Sequence, residues 1–393
     1  MNYYERALEL RAQTVSHRRF FHKNAEVGLS MPKAPAYVME KLSEYGLSPQ
    51  KCGHGVTATV GSGGNCILLR ADMDALPMRE ESGELFACPT GTEAHACGHD
   101  LHAAMLLTAA KMLKENEADL KGTVKFMFQT GEEIFEGAKD MMANGILENP
   151  KVDAALAFHV AAGRMPVGIY MYNAEGTMMS SADGFRITVT GRGSHGACPQ
   201  SAIDPISIAV HIYQGLETLI AREADPSKNC VLTVGSFNAG FAANIIPDTA
   251  ELQGTIRCDD STSREQLVRR MQEVAVKTAA VYGGTAEVRM LSQVPALICD
   301  PELTEKLVGY MKELDFPDAM PQPGISASAS EDFASIAQQV PGTFVYLSAG
   351  FPDHRGAAPA HNPKVRFNED VCPIGAACYA HCATRWLQDH AKI

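Results

Sequence analysis

His95-Ala96-Cys97-Gly98-His99-Asp100 is the stretch from which the rest of the chain can be read. A thiol, an imidazole and a carboxylate gather around one glycine, and an apolar run begins immediately after them. Leu101 to Leu113 reads as an apolar helix, with Asp100 placed as its N-cap. Gly98 permits a turn tight enough for Cys97 and His99 to converge. Mixed thiolate and imidazole ligation suits borderline transition metals. The plainer alternative is a buried thiol beside a helix-capping histidine.

Outward from this loop the first third of the chain alternates helix and strand. Tyr3 to Phe21 reads as a helix, Thr57–Val60 and Cys66–Ala71 as strands, Val124–Gln129 as a strand, Gly137–Ala143 as a helix and Ala154–His159 as a buried strand. That alternation predicts an α/β sheet flanked by helices. Such sheets place their sites at strand ends, and polar groups stand there. Asp72 and Asp74 follow Arg70-Ala71, where they can orient a ligand histidine or form the turn before Pro77. Glu132-Glu133 follow Gln129-Thr130-Gly131, where one carboxylate can ligate while its neighbour reaches water; a solvated acidic turn is the rival reading. His159 ends its strand, and His361 lies in the Pro-rich Ala358–Pro363 loop; each alone reads more readily as an ordinary structural histidine than as a ligand.

Near Ala182 the pattern changes. Phe185–Thr190 is a strand, Pro205–Ile220 a helix, Val231–Phe237 and Thr249–Cys258 strands, Arg264–Tyr282 a helix and Ala286–Leu291 a strand. The order β-α-β-β-α-β is that of a ferredoxin-like sandwich. After about Pro295 the α/β pattern returns, with a helix from Pro301, a strand at Phe344–Leu347 and a helix from Asp370 to His390. The expected organisation is a discontinuous domain, 1–182 and 295–393, interrupted by a small α+β domain, 183–294.

Composition sets outer bounds. At 393 residues the chain is too long for one ordinary core. With 46% hydrophobic and 20% charged residues it is a folded protein. A formal net charge of −12 and no long basic run argue against nucleic acid and anionic membrane surfaces as partners. Met1–Arg6 shows no signal-peptide pattern, no apolar run is long enough for a membrane span, and the eleven cysteines follow no disulfide-scaffold spacing. These features predict free thiols and a cytoplasmic location. Gly61-Ser62-Gly63-Gly64 is followed by a strand instead of a helix, which fails for a phosphate loop. There is no His-Glu-x-x-His and no Gly-x-Ser-x-Gly.

The pieces LRADMDALP (69–77), HACGHD (95–100), FQTGEE (128–133), GAKDMM (137–142), AFHV (157–160), GRGSHGACP (191–199), DPI (204–206), NIIPD (244–248), GTIR (254–257) and SEDF (330–333) stand in one order along nearly the whole chain. Together they resemble the aminoacylase/carboxypeptidase family of metallohydrolases, in particular its amidohydrolase branch of hippurate and indoleacetyl-amino-acid hydrolases. The resemblance implies a metal-dependent aminopeptidase-like catalytic domain with an inserted dimerisation, or lid, domain. It implies that Cys97, His99, Glu133, His159 and His361 ligate one or two divalent ions, most often manganese, with zinc, cobalt or nickel as alternatives. It makes Glu132 the general base, with Asp74 counted in the catalytic set. It gives His195, across a homodimer interface, the task of steadying the oxyanion, and gives Asn244 and Arg257 the substrate carboxylate. Thr130-Gly131 stands where the family usually has Pro-Ala, Gln200 where a histidine is common, and Ala94 where methionine is common. None of these departures removes a ligand or the base.

The function that follows is hydrolysis of the amide bond of an N-acyl amino acid. The rivals are a dipeptidase or carboxypeptidase, an N-acetyldiaminopimelate deacetylase and, from a different class, a non-catalytic protein that holds metal or a small acid.

Overall fold

The computed structural model describes residues 1–391. The chain divides into two compact units, Met1–Met178 with Ile298–Ser326 and Asp332 onward, and Met179–Leu297 with Ala327–Glu331. The second unit begins a few residues earlier than the change in pattern at Ala182 suggests. The reason is local: Ser181 exchanges hydrogen bonds with Cys258, Ser180 Oγ bonds Asp259, and Met179 bridges Ala327.

In the first unit eight strands form one sheet. Four buried strands make its middle, in the order Gly122–Gln129, Asn65–Asp72, Ala154–Ala161, Gly342–Ser348, and all four run parallel. Near-continuous apolar runs such as Cys66–Ala71 and Ala154–Phe158 are what a sheet covered on both faces requires. Gly55–Gly61 pairs antiparallel with Gly122–Gln129, so the Gly61–Gly64 turn joins strands that are not neighbours. The connection from Asn65–Asp72 leads to one side of that strand, through the helix His99–Glu115. The next connection crosses to its other side, to Ala154–Ala161. This reversal of direction opens a crevice at the carboxyl ends of the strands.

The helix His99–Glu115 buries 14 of its 17 residues. A helix apolar all round belongs at the centre of a core, and it packs against Val371–Asp389, itself mostly buried. Two expectations need correction. Asp100 is not the N-cap: Gly98 is, with φ 98°, and its carbonyl accepts from Leu101 and His102, while Asp100 lies inside the first turn. Tyr3–Phe21 is two helices, Tyr3–Glu9 and Arg11–Lys23, meeting at Leu10.

In the second unit Ala182–Thr190, Cys230–Ala239, Thr249–Cys258 and Thr285–Val294 form an antiparallel sheet. Numbered one to four along the chain, its order is two-three-one-four, the ferredoxin-like arrangement. The helices Pro205–Arg222 and Ser261–Val281 cover one face and share an apolar core with Phe185, Ile187, Leu252 and Ile256. Asp204 and Asp260 cap the two helices, each through a carboxylate oxygen accepting a backbone N–H.

Candidate metal centre

In the first unit the loop before the helix His99–Glu115 delivers Cys97 and His99 to the carboxyl ends of the parallel strands. Gly98 makes this possible. A Cβ there would meet Val160 Cγ2 at 2.4 Å, and its φ lies in the left-handed region. Glu132 and Glu133 follow the strand Gly122–Gln129, and His159 sits near the end of Ala154–Ala161. His361 lies in the loop beyond Gly342–Ser348, with its backbone N–H bound to the Ala96 carbonyl at 2.9 Å. Cys97, His99, Glu132 and His159 are buried, Glu133 is nearly so, and His361 keeps 54% of its side chain exposed.

The separations are those of a single cluster. Cys97 Sγ lies 3.4 Å from His159 Nε2. His99 Nε2 stands 3.9 Å from both Glu132 Oε2 and Glu133 Oε1. His361 Nε2 stands 3.5 Å from Glu133 Oε1. Cys97 with His99 and His159, Cys97 with Glu133 and His361, and His99 with both glutamates each form a group with donor atoms within 4.8 Å of one another.

The hydrogen bonds fix which atoms these groups present. His99 Nδ1 faces the Asp74 carbonyl at 2.9 Å, and His159 Nδ1 faces the Val160 carbonyl at 2.8 Å. A carbonyl only accepts, so both Nδ1 atoms carry the proton. Both Nε2 atoms therefore present a lone pair to the cluster. Among the described residues buried His99 Nε2 and Glu133 Oε1 make no hydrogen bond, and the nearest cationic partner of Glu133 Oε1 is His361 Nε2 at 3.5 Å. Unpaired buried acceptors beside a thiol cost free energy unless a cation satisfies them, so these residues fit a divalent ion of borderline softness.

The electrostatics agree. Burial pushes the Cys97 thiol up to about 12, so its thiolate needs a cation beside it. Burial also holds His159 well below the usual imidazole range. For His99 burial pulls in the same direction, but the Asp72 carboxylate outweighs it and the ring is raised, so His99 must give up its Nε2 proton before that atom can ligate. Burial would raise Glu133, yet the facing rings of His361 and His99 leave it lowered.

Behind this cluster is a layer that the sequence reading only partly anticipated. Asp74 touches His99 mainly through its backbone carbonyl; its carboxylate accepts the Glu133 N–H at 3.0 Å. Asp72 accepts from His102 Nδ1 at 2.6 Å, and His102 Nε2 in turn accepts the Val160 N–H at 2.8 Å. Both ring nitrogens of His102 are thus engaged. Arg70, fully buried, binds Asp72 at 2.8 Å, Asp332 at 2.9 Å and Gln129 at 3.0 Å. Asp100 accepts from Arg18 at 3.0 Å and faces His22 Nδ1 at 2.8 Å. The spacing of His99 and His102, one helical turn apart on one face, was the available signal for His102.

The remaining predicted residues lie in the second unit. Ser194–His195 pairs antiparallel with Ile245–Ile246, and the Gly196 N–H binds the Asn244 carbonyl at 2.8 Å, so His195 and Asn244 are neighbours. His195 is exposed. Its Nδ1 accepts the Ala197 N–H at 3.1 Å, which leaves Nε2–H as an outward donor. Arg257, half-buried on Thr249–Cys258, spends Nη1 on Thr255 Oγ1 and the Ile256 carbonyl. Among the described residues no hydrogen bond or ion pair joins it to His195 or Asn244.

Comparison with known proteins follows the same lines. The model of "Peptidase family M20/M25/M40" matches residues 68–385. The chain is 36% identical over 390 residues to IAA-amino acid hydrolase ILR1-like 2 of Arabidopsis thaliana, covering 96% of this chain and 86% of that protein. It is 34% identical over 362 residues to N-acetyl-L-cysteine deacetylase of Bacillus subtilis, covering 89% and 83%. Its fold superposes with a TM-score of 0.80 on the YxeP protein of Bacillus subtilis, described as a dinuclear metal-binding peptidase of the M20 family, at 28% identity and over 97% of this chain and 99% of that one. A cluster of one thiol, three imidazoles and two carboxylates at the strand ends, a ferredoxin-like insertion and a match running through both units have one common explanation: the chain belongs to peptidase family M20/M25/M40.

Proposed function

We propose that this enzyme is a metal-dependent amidohydrolase that cleaves N-acyl amino acids to a carboxylic acid and a free amino acid. The observation that carries the proposal is the pair of unpaired buried acceptors, His99 Nε2 and Glu133 Oε1, converging with Cys97, His159 and His361. The relatives named as hydrolases of IAA–amino acid conjugates and of N-acetyl-L-cysteine support the substrate class. Cys97, His99, Glu133, His159 and His361 would hold one or two divalent ions, since these residues recur in overlapping donor groups. The family resemblance favours manganese, whereas the mixed thiolate and imidazole donors suit zinc, cobalt or nickel equally.

When bound, a divalent ion supplies polarisation of an acyl oxygen and acidifies water. The chain's own residues do the rest. The Glu132 carboxylate takes a proton from the attacking water and passes it to the leaving nitrogen. His195 donates its Nε2–H to the oxygen on which charge builds. Asn244 and the planar fork of Arg257 suit the carboxylate of the amino-acid half. Asp74 ties the Glu133 backbone to His99, which holds the ligand and the base in register.

The working form is a cytoplasmic homodimer joined through the inserted unit. Two features support the dimer: Cys230–Ala239 is an edge strand, and it exposes Val231 and Phe237. All eleven cysteines are free, and no helix among the described residues is long and apolar enough to cross a membrane.

The test is a substrate panel. Metal-stripped protein is reloaded in turn with manganese, zinc, cobalt or nickel and given N-acetyl, N-benzoyl and N-indoleacetyl amino acids and dipeptides. Metal-dependent release of free amino acid from an N-acyl substrate is expected. Release from dipeptides alone would favour the carboxypeptidase reading, and no release with any metal would sink the proposal.

A further inference from the structure

Most cysteines of this chain are buried singly, but two stand opposite each other in the second unit. Cys230 opens the edge strand Cys230–Ala239, and Cys258 closes its neighbour Thr249–Cys258. The register pairs them directly, Cα against Cα. Directly opposed residues point to the same face of a sheet, here the face that the two helices cover.

Two further observations define the kind of pair. The Asp259 N–H binds the Asn229 carbonyl at 3.3 Å, one step beyond the cysteines. The backbone N–H and carbonyl of Cys258 both turn the other way, to Ser181, at 3.0 and 2.8 Å. No backbone bond therefore joins Cys230 to Cys258, and they form a non-hydrogen-bonded pair. In such pairs the strands approach most closely, with Cα atoms about 4.5 Å apart. That lies inside the span a disulfide bridges, about 4.4–6.8 Å. Cys258 is wholly buried while Cys230 is half-buried, so Cys230 is the residue of the pair that a reagent would meet first.

We propose that Cys230 and Cys258 form a reversible dithiol/disulfide site that takes small-molecule disulfides such as glutathione disulfide. The Cys230 thiolate attacks one sulfur of glutathione disulfide, forming a mixed disulfide and releasing one glutathione. Cys258 then loses its proton and attacks the Cys230 sulfur, closing the cross-strand bond and releasing the second glutathione. The protein gives up two electrons and two protons, and the small disulfide receives them. The bond ties the first residue of the edge strand to the strand that carries Arg257, which otherwise meets Val231 across the ladder. Oxidation therefore pins the end of a strand that has one partner within its own sheet.

The experiment uses the full chain incubated with glutathione disulfide, then thiol trapping and peptide mapping without reductant. The expected product is a single intramolecular cross-link between the peptides holding Cys230 and Cys258. It is reversed by dithiothreitol and accompanied by a rise in the unfolding midpoint of roughly 5 °C. Cys230→Ser should abolish the cross-link and the rise together. The exposed Cys198 serves as an internal control and should yield only the mixed disulfide. If Cys258→Ala fails to fold, the wild-type map and Cys230→Ser still decide the matter. Glutathione left on Cys230 with Cys258 still free, or both thiols alkylated after oxidation, would overturn the proposal.

Discussion

The two units hold their candidate residues in opposite ways. In the α/β unit the cluster is buried and pre-formed. His99 and His159 are locked by backbone carbonyls, Asp72 and His102 brace each other, and Arg70 ties two strand ends to Asp332, the N-cap of the short helix Phe333–Ala337. In the inserted unit His195 and Asn244 are exposed, and among the described residues no acceptor meets the His195 Nε2–H. A group that must grip an ion gains from rigidity, because every ligand that has to be ordered on binding costs entropy. A group that acts only as charge develops in the reaction needs a free donor.

That contrast can be broken most severely at Cys97. Cys97→Ala should lose bound metal and, with it, activity down to the level of the metal-stripped protein. Metal analysis finding full occupancy in this variant would show that the thiol is only part of the core. The next largest effect belongs to Glu132→Gln. It should keep its metal and its substrate affinity and lose about 10²–10⁴-fold in kcat. If it loses metal while Glu133→Gln keeps it, the two glutamates have exchanged roles.

His195→Ala tests the exposed side of the comparison. Metal content should be unchanged and kcat should fall about 10²–10³-fold. Mixed with Glu132→Gln under subunit exchange, it should regain activity, since one site of the heterodimer then holds both intact residues. Verified heterodimers without recovered activity would exclude action across subunits. The smallest effect is expected behind the ligands. His102→Ala removes both the brace on Asp72 and the acceptor of the Val160 N–H, and should weaken metal affinity or activity about 10–100-fold. His102→Asn can keep a donor to Asp72 and should be milder. Equal loss in the two variants would mean that ring packing matters more than the hydrogen bond.

The sequence made some of this legible and hid the rest for physical reasons. Gly137–Ala143 and Thr249–Cys258 could be read to the residue, because turn and capping residues flank a clean period. The helix Lys33–Glu44 was not foreseen; Pro35 stands in its first turn, where proline is tolerated. Cys97 and His99 before a helix and the paired glutamates after a strand stood out locally, whereas His159 and His361 entered the candidate set only through the resemblance. The residues behind them did not stand out. Asp100 looked like a helix cap because local sequence cannot show that Arg18 and His22, far earlier in the chain, claim its carboxylate. Strand order was hidden for the same reason: no short window shows that Asn65–Asp72 lies between Gly122–Gln129 and Ala154–Ala161.

The strand order also has a consequence for how the protein is made. Ala154–Ala161 receives its neighbour Gly342–Ser348 only after the whole insertion has been synthesised. The insertion has a core of its own, so it can fold while the host sheet still waits with an open edge. A nascent chain at that stage carries Cys97, His99, Glu133 and His159 but lacks His361 and the closing helix Val371–Asp389. Such non-local pairing is slow and leaves apolar edges open to aggregation. Metal capture therefore belongs to the end of biogenesis, and the half-built sheet is the stage at which a chaperone would matter most.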